Sequence, residues 1–136
     1  MKSGHRTRFA WRRCHSIDAN RAAISLARAV VEATCKDKGL ENGNLKSKID
    51  KLHDDKWISE LTRDSAHAVR EFGNDMAHGD FVQPVTGEET ELVLRLMYEV
   101  LDETYEKRAR VLEAQQRHAA RKASQQGSLT AQVNAV

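Results

Sequence analysis

The sequence has little of what a β fold needs. Pro84 is its only proline, aromatic residues make up 5% of it, and no segment alternates Val, Ile, Thr or aromatic side chains with polar ones. Strands are built from such alternation, so a sheet is excluded and a helical chain remains. There is no apolar run of about 18 residues, which excludes a membrane-spanning helix. The basic N-terminus is not followed by an apolar stretch and so does not read as a secretory signal. Cysteine is scarce: Cys14 and Cys35 show no CxxC spacing, which argues against a disulfide framework or a zinc site. Reduced thiols in a cytoplasmic protein are the expectation. Cys14-His15 would be half a metal site only with ligands from elsewhere. No glycine-rich phosphate loop, nucleophile elbow or HExxH pattern is present, so neither cofactor nor metal is expected.

What is present is charge, unevenly spread. The 136 residues carry a formal +2, yet residues 1–15 hold Lys2, Arg6, Arg8, Arg12 and Arg13 without an acid. Residues 106–123 hold six basic residues against Glu106 and Glu113, for +4, which leaves −7 for the rest. An acidic body with basic ends is not a nucleic-acid grip built into the fold, although basic arms attract phosphates weakly. The length suits one domain.

Helical periodicity divides the chain as follows. Residues 1–17 read as a basic arm holding His5, His15 and Trp11, a packing residue. A first helix runs from Asp18, as N-cap, to about Asp37, with Ala23, Ile24, Ala27, Val30, Val31 and Thr34 on its apolar side and an Arg28–Glu32 pair. Gly39 stops it. Asn44 caps a short helix over about 45–53, buried through Leu45, Ile49 and Leu52. A third helix starts between Trp57 and Ser59 and ends near His78, with Gly79 beyond it and a loop from Asp80 to Gly87. Gly73 inside that helix costs about 1 kcal/mol relative to alanine and marks close approach of another element, plausibly the first helix. A fourth helix follows Thr86 or Gly87, with Glu88, Glu89 and Glu91 at its positive end. Its apolar face is Val93, Met97, Val100, Leu101 and Tyr105, with Leu94 and Leu96. The apolar spacing thins after Lys107, and Ser124 to Val136 reads as a fraying tail. Residues 18–113 then form an all-α, up-and-down bundle of about four helices, with 114–136 a helical extension. A core this small gains from a homodimer.

The third helix carries the most informative residues. At about 100° per residue, His67, Arg70, Asn74 and His78 lie within an arc of roughly 80°. They run beside an apolar stripe of Ile58, Leu61, Ala68, Val69, Phe72 and Met76. An Arg with a His can cleave a phosphodiester without metal, the imidazole moving a proton and the guanidinium stabilising charge. Asn74 would orient the imidazole or touch phosphate or ribose. The bland alternative is that Asn74 and His78 tie down the next loop while Arg70 pairs with Glu32 or Glu71. His67 reads as a satisfied, partly buried histidine. His53, beside Asp54 and Asp55, reads as a solvated helix end rather than a metal ligand.

Ala27-Arg28 with Glu32, Cys35-Lys36, Arg70 with Gly73-Asn74, and Ala77-His78 together resemble a bacterial domain family of unknown function. That family is often fused to restriction-endonuclease subunits and grouped with the HEPN superfamily. The resemblance spans about residues 19–105. It implies a HEPN-like bundle that pairs through the helices bearing Arg and His, linked to bacterial defence or nucleic-acid processing. It also implies RNA or nucleotide binding through Arg70, Asn74 and His78, with a restriction subunit or nucleotidyltransferase as partner. Active HEPN proteins are metal-independent endoribonucleases, and in that reading His78 transfers protons, Arg70 stabilises phosphate and Asn74 accompanies them. Seven residues separate Arg70 from His78, where active members have roughly four to six, and the extra residue rotates the Arg by about 100°.

Overall fold

A computed structural model describes residues 3–78 and 84–135, with side chains from residue 18 onward within them. The chain is all-α, and no strand occurs among the described residues. Helix α1 spans Ser3–Asp37, α2 Leu45–Asp54, α3 Glu60–His78, α4 Gly87–Leu101 and α5 Arg108–Asn134. A π-helical turn, Asp102–Lys107, joins α4 to α5 in one continuous helical run. Asp18 lies inside α1 rather than capping it, because no residue before it breaks the helix. The expectations for Cys14, Trp11, His5, His15 and Gly79 fall outside the described side chains.

Helices α1, α3 and α4 pack on one another, and α2 lies against α1 and α3. Ile24, Ala27, Val31 and Cys35 line the buried side of α1, at spacings of three and four residues. They meet Leu45, Ile49 and Leu52 of α2, Ala66, Val69 and Met76 of α3, and Val93, Met97 and Val100 of α4 in one core. The expected stripe holds at Ile58, Val69, Phe72 and Met76. Leu61 is 77% exposed and Ala68 only half-buried, and Ala66, Thr62 and Ser65 take the buried positions instead. Tyr105 is likewise outside the core, 37% exposed.

The ends of the helices follow local chemistry. After α1, Gly39 adopts φ +83° and the Leu40 amide donates to the Cys35 carbonyl, a left-handed stop. Asn44 caps α2 by accepting the Ser47 amide at 2.9 Å. Lys56 ends the turn after α2 at φ +64°, a conformation unfavourable for a residue with a Cβ, while the Trp57 amide closes on the Leu52 carbonyl. Thr86 and Glu89 form a reciprocal capping box on α4. The start of α3 is held from another element. Glu103 accepts the Ser59 amide at 2.7 Å and the hydroxyls of Ser59 and Thr62, which places a carboxylate at the positive end of α3. Ser65 adds a bond to Glu99 at 3.1 Å, so α4 and the π turn run antiparallel to α3 along a row of hydrogen bonds.

Helix α5 differs from the rest. None of its 27 residues is buried, and it runs helical to Asn134 through the segment expected to fray. Alanine, glutamine and arginine keep its helix propensity high.

Candidate functional site

At Gly73 α1 and α3 pack in close contact. A Cβ there would sit 2.5 to 2.9 Å from Cδ, Cβ and Cγ of Arg28, so only glycine lets the Arg28 stem cross α3. Having crossed, Arg28 donates from Nε to Oδ1 of Asn74 at 2.9 Å. Arg21, farther toward the start of α1, reaches the Met76 carbonyl at 3.3 Å in the last turn of α3, where a cation suits the helix dipole.

Glu32 lies one turn along α1 from Arg28. It sits 3.5 Å from the Arg28 guanidinium and 3.7 Å from the ammonium of Lys48 on α2. Lys48 is only 4% exposed, and that carboxylate is its ion-pair partner. Beneath them lies the thiol of Cys35, fully buried; burial pushes its pKa up to about 11, with Lys48 opposing. Such a thiol stays protonated and inert at neutral pH.

A second chain of polar contacts runs along the same face. His67 Nε2 lies 2.8 Å from Oδ1 of Asp50 on α2, and Arg70 Nε donates to His67 Nδ1 at 3.4 Å. A neutral imidazole protonated on Nε2 fits both contacts, donating to Asp50 and accepting from Arg70. The bond from His67 holds the Asp50 carboxyl below the usual carboxylate range. Arg70 also approaches Glu71 at 3.5 Å.

The structure therefore separates the three residues that the spacing puts on one arc. Asn74 belongs with Arg28, Arg70 belongs with His67 and Glu71, and His78 stands exposed in the last turn of α3 with no hydrogen bond among the described residues. Eight residues along a helix are about 12 Å, and Arg70 and His78 have no hydrogen-bond partner in common among the described residues. Glu32, one of the two carboxylates expected for Arg70, is used instead by Arg28 and Lys48. His67 is satisfied and partly buried, as expected. Lys48 and Asp50 went unnoticed in the sequence, although Lys48 interrupts the buried pattern Leu45, Ile49, Leu52 of α2 and a cation there needs a carboxylate. Among the described residues no group of three or more His, Cys, Asp or Glu side chains could hold a metal. His53 instead places Nδ1 3.0 Å from the Ile58 carbonyl.

At the far end of the bundle, Trp57 is sandwiched between Lys38 and Arg108, each 4.1 Å from its ring. Arg108 also donates to the Lys56 carbonyl, and Tyr105 donates to Asp37 at 2.6 Å. Beside Trp57 lies an open groove of about 330 Å³ whose walls include Lys107, Val111, Leu112 and Gln115.

A family profile described as "Domain of unknown function (DUF4145)" matches residues 9–135. No curated protein and no solved structure gives a significant match to the chain. No helix among the described residues is long and apolar enough to cross a membrane.

Proposed function

The chain belongs to the DUF4145 family, and on that premise we propose that it is a HEPN-like helical interaction module whose α1–α3 seam binds the phosphate of a nucleotide or RNA. The observation that carries this reading is the pair of guanidinium groups, Arg28 bonded to Asn74 and Arg70 one turn before it on α3, each held by fixed partners. Glu32, Asp50 and His67 orient these cations at a part-exposed surface without burying them, and forked guanidinium donors suit a phosphate. The local acids moderate the affinity, so weak, salt-sensitive binding is the expected behaviour. A restriction-endonuclease subunit or a nucleotidyltransferase in bacterial defence is the partner this reading favours.

The endoribonuclease alternative brings an Arg and a His together across two copies, and the exposure of His78 is the observation in its favour. One pair of measurements separates the two. In fluorescence anisotropy with a labelled single-stranded RNA or ATP analogue, Arg28→Ala should weaken binding by about tenfold, roughly 1.4 kcal/mol. In EDTA the wild type should leave the same RNA intact. Cleavage to 2′,3′-cyclic phosphate ends that His78→Ala abolishes would replace the binding reading with the catalytic one. Absence of both binding and cleavage would end both.

A further inference from the structure

Helix α5 starts against the π turn and Trp57 and then extends past the bundle. About 40 Å of helix with no buried residue is an element without its partner. Its two faces differ. Arg110, Arg117 and Arg121 lie within about 40° of one another, and Arg110 and Arg117 are already paired with Asp102 and Glu113. On the opposite side Leu112, Ala119, Gln126 and Val133 recur every seven residues, with Gln115, Lys122 and Leu129 three residues after the first three. Four of these seven, Leu112, Ala119, Leu129 and Val133, are apolar, which makes an interrupted a and d seam. Leu112, Leu129 and Val133 are exposed by 54%, 62% and 74%.

We infer that α5 pairs with α5 of a second copy as a two-fold, antiparallel coiled coil. The charges decide the direction. Parallel pairing would set Lys122 against Lys122 of the second copy and Arg108 against Arg108. In the antiparallel arrangement residues 124–134, which carry no charge, lie along the basic half of the other helix. The layers then match. Leu112 meets Leu129, Gln115 meets Gln126, the small Ala119 meets the Lys122 stem, and Val133 meets the Arg108 stem. The glutamine layers can bond to each other and fix the register, as a buried polar pair does in other coiled coils. The Lys122 stem covers Ala119 while its ammonium reaches water. The groove beside Trp57, Val111 and Leu112 lies where Leu129 and Val133 of the second copy arrive.

The experiment is sedimentation equilibrium of the full chain at about 50 µM, a concentration at which a modest self-association is visible. The expected mass is twice 15.4 kDa, falling to 15.4 kDa for Leu129→Glu with the bundle still folded by calorimetry. Orientation is read in a Cys14→Ser background. Chains with Leu112→Cys and chains with Leu129→Cys should form a disulfide only when mixed. Cross-linking of Leu112→Cys with itself would give a parallel pair and overturn the inference. So would a wild type of 15.4 kDa, a Leu129→Glu chain that stays dimeric, or a monomer that associates only when RNA is added. Arg28→Ala should leave the mass unchanged; dissociation by that change would move the interface to the α1–α3 seam and overturn the inference as well, whatever the seam binds.

Discussion

At the scale of single residues, Gly73 does more than any other position on α3. Its presence inside a helix marks close approach in the sequence, and the structure supplies the neighbour, the aliphatic stem of Arg28. Alanine would gain about 1 kcal/mol of helix propensity. Against this, the new Cβ lies 2.6 Å from Arg28 Cβ, which is fixed to the α1 backbone and cannot swing away. The clash wins, and Gly73→Ala should be destabilised by about 1–3 kcal/mol in urea unfolding. It should also separate Arg28 from Asn74, so RNA or nucleotide binding should weaken with stability. An unchanged unfolding midpoint would show that α1 and α3 are not held this closely. The partner of Asn74 was not legible in the same way. Helical spacing shows which residues share a face of one helix, but Arg28, Lys48 and Asp50 reach the seam from two others.

Helices and their boundaries were largely legible, because caps are local. Asn44, Thr86 with Glu89, and Gly39 act within a few residues of their own positions. The misses on α3 and at the π turn share one cause, which is tertiary contact. Leu61 is apolar and lies outside, while Thr62 and Ser65 turn inward to reach Glu103 and Glu99. The π turn has no sequence mark either. It carries Tyr105 to Asp37 and Glu103 to the start of α3, and it leaves the buried Thr104 hydroxyl without a hydrogen-bond partner among the described residues. The Tyr105 contact has a testable pH signature. Burial, and then the bond to Asp37, push the phenol up from 10.0 to about 12. The neutral phenol is the form the fold favours, so its contribution is whole below pH 10 and disappears as pH rises to about 12. Urea midpoints measured at pH 9 and at pH 11.5 should converge for wild type and Tyr105→Phe at the higher pH, with wild type more stable at the lower. A constant gap would show that Asp37 does not hold the phenol.

On the scale of the whole molecule, the chain separates a packed part from a projecting one. The core draws on α1 to α4, whereas α5 buries nothing. Charge follows the same division, since the basic excess of residues 106–123 sits at the start of the projection and the acids are spread over the bundle. The sequence shows this asymmetry, but the small, polar stretch from Ser124 to Val136 suggests a fraying tail where the helix in fact continues to Asn134. Spacing read over four residues misses a seam that repeats every seven. If the bundle does not lean on α5, a chain ending at Glu113 should keep its calorimetric midpoint within about 4 °C of the full chain, since 1 kcal/mol moves a domain of this size by roughly that much. It keeps Arg108 against Trp57, Glu103 on α3 and Tyr105 on Asp37. Its ellipticity per residue should change little, because the deleted segment is as helical as the rest. Its mass should be that of one copy at every concentration. A fall of more than about 10 °C at concentrations where the full chain is monomeric would show that α5 stabilises the bundle from which it extends, and the boundary between packed and projecting parts would move beyond Glu113.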